Sequence, residues 1–145
     1  MARLISWIQA GPTGSLLAIP ALLLTLIAAP AQAVKEIESV RLHRAPDHTR
    51  VVFDLPKPVD HTLDKLTDPH RIVVDLQQAE LDFDVSRLDI SDSPITRIRV
   101  GRHENQTTRV VFDLARAVRP RTNVLKPVDP HGYRLVGDLH DEEKE

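Results

Sequence analysis

Seven consecutive residues occur twice in this chain. Thr49–Leu55 reads TRVVFDL, and Thr108–Leu114 reads TRVVFDL again, 59 positions later. In 145 residues such an identity constrains the fold more than any other feature. A duplicated unit must fold twice, and its copies must bury their apolar faces together. The agreement extends in both directions. Upstream, Ile37, Val40, Arg41 and Leu42 answer Ile95, Ile98, Arg99 and Val100. Downstream, Asp68-Pro69-His70 returns as Asp129-Pro130-His131, and RIVVDL at Arg71–Leu76 returns as RLVGDL at Arg134–Leu139. The offset drifts from 58 to 63, which places the insertions in loops. The repeat units run from about 35 to 80 and from about 94 to 139.

Four segments share the pattern Arg, apolar, Val, any residue, Asp, Leu: Arg50–Leu55, Arg71–Leu76, Arg109–Leu114 and Arg134–Leu139. Successive side chains of a strand point to opposite faces. One face therefore carries Arg, Val and Asp, and the other carries residues such as Val51, Phe53 and Leu55. This period of two predicts half-buried antiparallel strands, and apolar positions do not recur at the three-and-four spacing of a helix. Weaker strands are predicted over Lys35–His43, Ile95–Arg102, Val59–Leu66 and Val118–Leu125. The alternation of Leu81, Phe83 and Val85 with Asp82 and Asp84 suggests another strand in the connector. Pro46-Asp47 and Asn105-Gln106 read as hairpin loops. About eight short strands with these turn signals predict an all-β sandwich or barrel. Each half holds only two aromatic residues, so the two copies are expected to share one core.

Residues 1–33 are a different polymer. They contain no Asp, Glu or Lys and one Arg, Arg3. The stretch Leu16–Ala29 is apolar but for Thr25 and Pro20, and Ala31 and Ala33 occupy the −3 and −1 positions before charged sequence begins. This predicts a secretory signal cleaved after Ala33, too short to span a bilayer and lacking a twin-arginine pair. Export by the general secretory route to the periplasm is expected, with no stable membrane anchor afterwards. The remaining 112 residues carry a net charge of −3 and no cysteine. Disulfides, thiolate metal sites and cysteine nucleophiles are thereby excluded. An acidic domain of ordinary polarity also gives no general footprint for nucleic acid. Five aromatic residues in the whole chain, Trp7, Phe53, Phe83, Phe112 and Tyr133, argue against a sugar cleft of stacked rings.

Catalytic patterns are absent. The seven histidines form neither HExxH nor an i, i+4 pair. His70 and His131 occupy equivalent Asp-Pro-His turns and could in principle form a symmetric pair, but solvated turn residues following a proline are the favoured reading. No Gly-x-Ser-x-Gly elbow and no phosphate-cradling glycine loop occur. Asp82 and Asp84 would share one strand face, the ordinary place for surface carboxylates. The expectation is a chain with no catalytic residues, no metal and no cofactor.

Binding fits the pattern better. The recurrent arginines Arg50, Arg71, Arg109 and Arg134 project opposite the core, and Arg41 and Arg99 extend the same surface. A guanidinium fork matches a carboxylate bidentately, so an arginine-studded sheet suits a carboxylate-bearing polymer such as bacterial cell wall. The same residues could instead pair with the recurrent aspartates across neighbouring strands. Both uses are open on the sequence alone.

The paired TRVVFDL segments, DPHRIVVDL at Asp68–Leu76, the closing RLVGDL and the two opening strands closely resemble the AMIN domain. This module precedes the catalytic domain of periplasmic N-acetylmuramoyl-L-alanine amidases of the AmiC and AmiB type. The resemblance runs from about Ile37 to Leu139. It implies a β-sandwich of two symmetric sheets that binds peptidoglycan and directs its host protein to the division site, with septal or envelope proteins as further partners. The chain ends at Glu145 after an acidic stretch, 140–145, that reads like the start of a linker. Two alternatives follow: the front of a zinc-dependent amidase whose catalytic domain lies beyond this sequence, or a module of the type associated with pilus secretins.

Overall fold

Ten strands occur among the described residues of the computed structural model, which are 28–29 and 33–142. The signal-peptide expectation falls almost wholly outside them. The strands are β1 (Lys35–Ile37), β2 (Ser39–Arg44), β3 (His48–Leu55), β4 (His61–Leu66), β5 (Arg71–Leu76), β6 (Ala79–Leu81), β7 (Ile95–His103), β8 (Thr107–Leu114), β9 (Val118–Leu125) and β10 (Tyr133–Asp141). No helix among these residues is long and apolar enough to cross a membrane.

The four patterned segments form β3, β5, β8 and most of β10, the two central strands of each of two antiparallel sheets. The first sheet has the order β2-β3-β10-β9, and the second β4-β5-β8-β7. Each sheet therefore takes two strands from each repeat unit. Exchanging the units, β2 for β7, β3 for β8, β4 for β9 and β5 for β10, converts one strand order into the other. Neither repeat can complete a sheet without its copy. The sandwich of two symmetric sheets expected from the duplication is the observed fold.

Inner positions alternate as the period of two requires. Val51, Phe53 and Leu55 of β3 and Val110, Phe112 and Leu114 of β8 are buried in one core with Ile72, Val74, Leu76, Leu135 and Leu139. Phe53 and Phe112 are 2% and 1% exposed, so both copies of the repeat supply the large aromatic of the core. The duplication reaches the turns too: Asp68-Pro69 and Asp129-Pro130 both contain a cis peptide bond.

Three local expectations are corrected. The stretch Lys35–His43 is two strands, because β1 leaves the first sheet and pairs in parallel with β6, with Lys35 opposite Ala79 and Ile37 opposite Leu81. The connector strand through Phe83 and Val85 is a turn of 3-10 helix at Val85–Arg87. Asp84 caps that turn by accepting from the Ser86 amide at 3.0 Å, and Asp89 does the same for Ser91. Such side-chain acceptors draw the backbone into turns and override the alternation, while Phe83, Leu88 and Ile90 still pack on the core. Finally, β10 runs through His140 and Asp141, two residues read above as tail. Arg44 donates to both carboxylate oxygens of Asp141, and the Asp141 amide donates to the Asp47 carbonyl at 2.9 Å.

Candidate functional site

Every second residue of the central strands faces outward, and the register decides which arginine meets which aspartate. On the first sheet Arg50 lies opposite Asp138; its Nε and Nη2 donate to the two carboxylate oxygens at 2.7 and 2.9 Å. On the second sheet Arg109 lies opposite Asp75 and donates in the same two-pronged way, both at 2.8 Å. A second pair of forks joins edge to centre: Arg41 to Asp54 and Arg99 to Asp113. Four of the six arginines singled out in the sequence are thus engaged within their own sheets.

The electrostatics follow from this pairing. The hydrogen bonds from Arg50, Arg109 and Arg99 hold the carboxyls of Asp138, Asp75 and Asp113 below the ordinary aspartate range, against an opposing push from burial. At Asp54 burial pushes the carboxyl up, but the hydrogen bonds from Arg41 and Ser39 outweigh it and the net shift is downward. The same contacts raise Arg50, Arg99 and Arg109.

Arg71 and Arg134 differ. They occupy the same place in the two sheets, Arg71 opposite Asp113 and Arg134 opposite Asp54. Both aspartates already accept a fork from another arginine on both oxygens. Neither Arg71 nor Arg134 has an ion pair or hydrogen bond among the described residues, and the Nε of each is buried without a partner. A buried donor left unpaired is costly, which makes these the positions where an incoming acceptor would gain most.

Around Arg134 the first sheet forms an open depression of about 550 Å³. Arg41, Arg50 and His43 share its lining with the apolar side chains of Val52, Val136 and Leu125. Such a surface offers guanidinium donors beside apolar contact area and can take a carboxylate on a flexible, partly apolar chain.

His70 and His131 are not brought together: they lie at the β4–β5 and β9–β10 turns of different sheets, and no contact joins them among the described residues. Asp82 and Asp84 both precede the 3-10 turn at Val85–Arg87, beyond the end of β6, and share no strand face. A cluster that sequence reasoning missed does appear. One ligand-capable atom from each of Asp47, His48 and His140 lies within 4.8 Å of the others, the one set of its kind among the described residues. His48 and His140 are joined only by the β3–β10 register, so no spacing along the chain could have signalled them.

Comparison with known proteins accords with this architecture. The AMIN domain family model matches residues 39–139. The chain is 32% identical over 112 residues to N-acetylmuramoyl-L-alanine amidase AmiC of Escherichia coli O6:H1, covering 74% of this chain and 27% of that protein. It is 28% identical over 109 residues to the AmiC amidase of Neisseria meningitidis serogroup B, covering 72% of this chain and 26% of that one. The chain thus spans about a quarter of the length of these curated relatives. A match across β2 to β10, both sheets included, identifies this duplicated sandwich as a member of the AMIN domain family.

Proposed function

We propose that this chain is a non-catalytic peptidoglycan-binding module that places a periplasmic protein at the cell envelope or division site. The observation that carries this reading is the unpaired Arg134 guanidinium, set with Arg41, Arg50 and His43 in the depression of the first sheet. Stem peptides of the wall present carboxylates on short chains with apolar side groups, the chemistry that such a surface accommodates. Arg71, at the corresponding place on the opposite sheet, offers a second and weaker contact. The paired arginines Arg41, Arg50, Arg99 and Arg109 serve mainly to hold the sheets in register.

The similarity to AmiC amidases supports a particular host. Attached to an amidase catalytic domain, the module would hold the enzyme on its polymer and raise its effective concentration there. Export by the general secretory route, and contacts with septal or envelope proteins, belong to the same proposal.

The chain should co-sediment with purified sacculi, and sedimentation no greater than that of an unrelated acidic domain would sink the reading. Arg71→Gln with Arg134→Gln should weaken co-sedimentation while leaving Tm nearly unchanged, because neither residue has an ion pair or hydrogen bond to lose among the described residues. A large drop in Tm would instead assign both arginines to the scaffold. Incubation with sacculi and zinc should release no stem peptides; measurable release would overturn the non-catalytic assignment.

A further inference from the structure

The set formed by Asp47, His48 and His140 differs from the arginine–aspartate forks in one respect: it is not duplicated. The offset of 59 places Gln106 and Thr107 where the first unit has Asp47 and His48, and the offset of 63 places Gln77 where the second unit has His140. The fold therefore forms with Gln, Thr and Gln at these places, and nothing in the architecture requires two imidazoles and a carboxylate.

The three groups are nevertheless held together. His48 and His140 face each other on one rung of the β3–β10 ladder, with ring centroids 5.2 Å apart and planes tilted by 36°. His48 is half-buried, at 22% side-chain exposure. Asp47 lies in the preceding loop with its carboxylate 2.8 Å from the His48 Nδ1. The loop itself is tied to β10, since the Asp47 carbonyl accepts from the Asp141 amide and Arg44 grips the Asp141 carboxylate. Backbone and ion pair thus fix the Cα positions, and only side-chain torsions are left to adjust.

We propose that Asp47, His48 and His140 form a binding site for a borderline divalent metal ion, with zinc as the probe. Two imidazoles and one carboxylate are a donor set suited to zinc, copper or nickel rather than to magnesium or calcium. Bringing atoms now within 4.8 Å to the edge of a zinc tetrahedron, about 3.3 Å for Zn–N bonds of ~2.05 Å, requires only small rotations of the side chains. The fourth position is open to water or to an external carboxylate. Two features bear on affinity in opposite senses. Arg119 faces His140 from β9 and opposes a cation, though its side chain is exposed and can turn toward solvent or Glu142. Asp138, on the same face, adds negative charge that Arg50 partly neutralises. Because His48 comes from one repeat unit and His140 from the other, the bound ion would staple the two units across the central strands of the first sheet.

The test is zinc titration of the full chain, freed of any histidine tag, by calorimetry and by thermal melting. Saturable 1:1 binding and a rise in Tm of several degrees are expected, since a ligand held only by the folded state stabilises it. His48→Thr with His140→Gln installs residues that the other half of the fold carries. This double variant should keep its metal-free Tm within a few degrees and lose zinc affinity by at least about tenfold. Asp47→Gln, at a side chain 77% exposed, leaves the core untouched and should also weaken binding, while His103→Ala should not. Absence of saturable binding to the native chain would overturn the site, as would a double variant or an Asp47→Gln variant that binds zinc as the native chain does.

Discussion

Strand β9 presents Arg119, Arg121 and Asn123 outward, where β4 and the residue before it present Asp60, Thr62 and Asp64 at the equivalent places of the other sheet. Inner positions of the same strand pairs obey a different rule. Val59 and Val118 are both buried, as are Leu76 and Leu139, Val51 and Val110, and Phe53 and Phe112. Within the strands, the outer face of the first sheet carries five arginines against two aspartates, and that of the second carries four against three. Packing density punishes a change of volume inside, whereas an exposed charge costs little to exchange. Divergence that falls mainly on the outside is where two copies of one fold have room to acquire different tasks.

The largest effect should be the one that treats the sheets alike. Phe53→Ala and Phe112→Ala each remove a buried ring and should cost about 3–5 kcal/mol, measured by denaturant unfolding. Their costs should be similar, and native unfolding should remain a single transition. Two separable transitions would mean that the sheets do not share one core.

Binding should separate them. Arg134→Gln alone is expected to reduce sacculus binding by about tenfold, the worth of a charge-assisted hydrogen bond, and Arg71→Gln by distinctly less. Equal losses would show that the depression around Arg134 confers no preference. Replacing Arg119 with Asp and Arg121 with Thr copies the character of β4 onto β9. It should weaken binding further and flatten its salt dependence, with little change in Tm.

Acid should again act on both sheets together. Asp75, Asp113 and Asp138 sit below their unfolded-state range, so the unfolded chain takes up protons first as pH falls. The stability from these pairs is fully present above the unfolded carboxyl range, about pH 4, and is lost as pH drops through the lower folded values. Asp138→Asn and Asp75→Asn should each lower Tm by a few degrees at neutral pH and by almost nothing once the native carboxyls are protonated. A penalty that persisted undiminished in acid would assign these residues to packing rather than to charge.

The smallest effect concerns the one inner position where the central strands differ most, Gly137 in β10 against Val74 in β5. Its backbone φ is not positive, and a Cβ added there would meet nothing within 4 Å. Gly137→Ala should therefore raise stability by about 0.5–1 kcal/mol and bring the first sheet closer to the second. A loss of stability would reveal a constraint on this strand that β5 lacks.

Much of this was legible in the residues. TRVVFDL stated its own duplication, and its alternation placed Phe53 inward and Arg50 outward because a pleated strand reverses side with each residue. The connector misled, since Phe83 and Val85 alternate like a strand while Asp84 and Asp89 cap turns. Six arginines looked equivalent in sequence and are not. Alternation assigns a face, but the partner across the ladder depends on strand order and register, which join Arg50 to a carboxylate 88 positions away. An all-β duplication with an apolar inside and a charged outside can be read along the chain, because both follow from local period and hydrophobicity. Strand order and register, by contrast, make each sheet borrow strands from both copies, leave Arg71 and Arg134 without an ion pair or hydrogen bond among the described residues, and bring His48 to His140. Those facts depend on distant segments meeting in one register, and no local pattern encodes that.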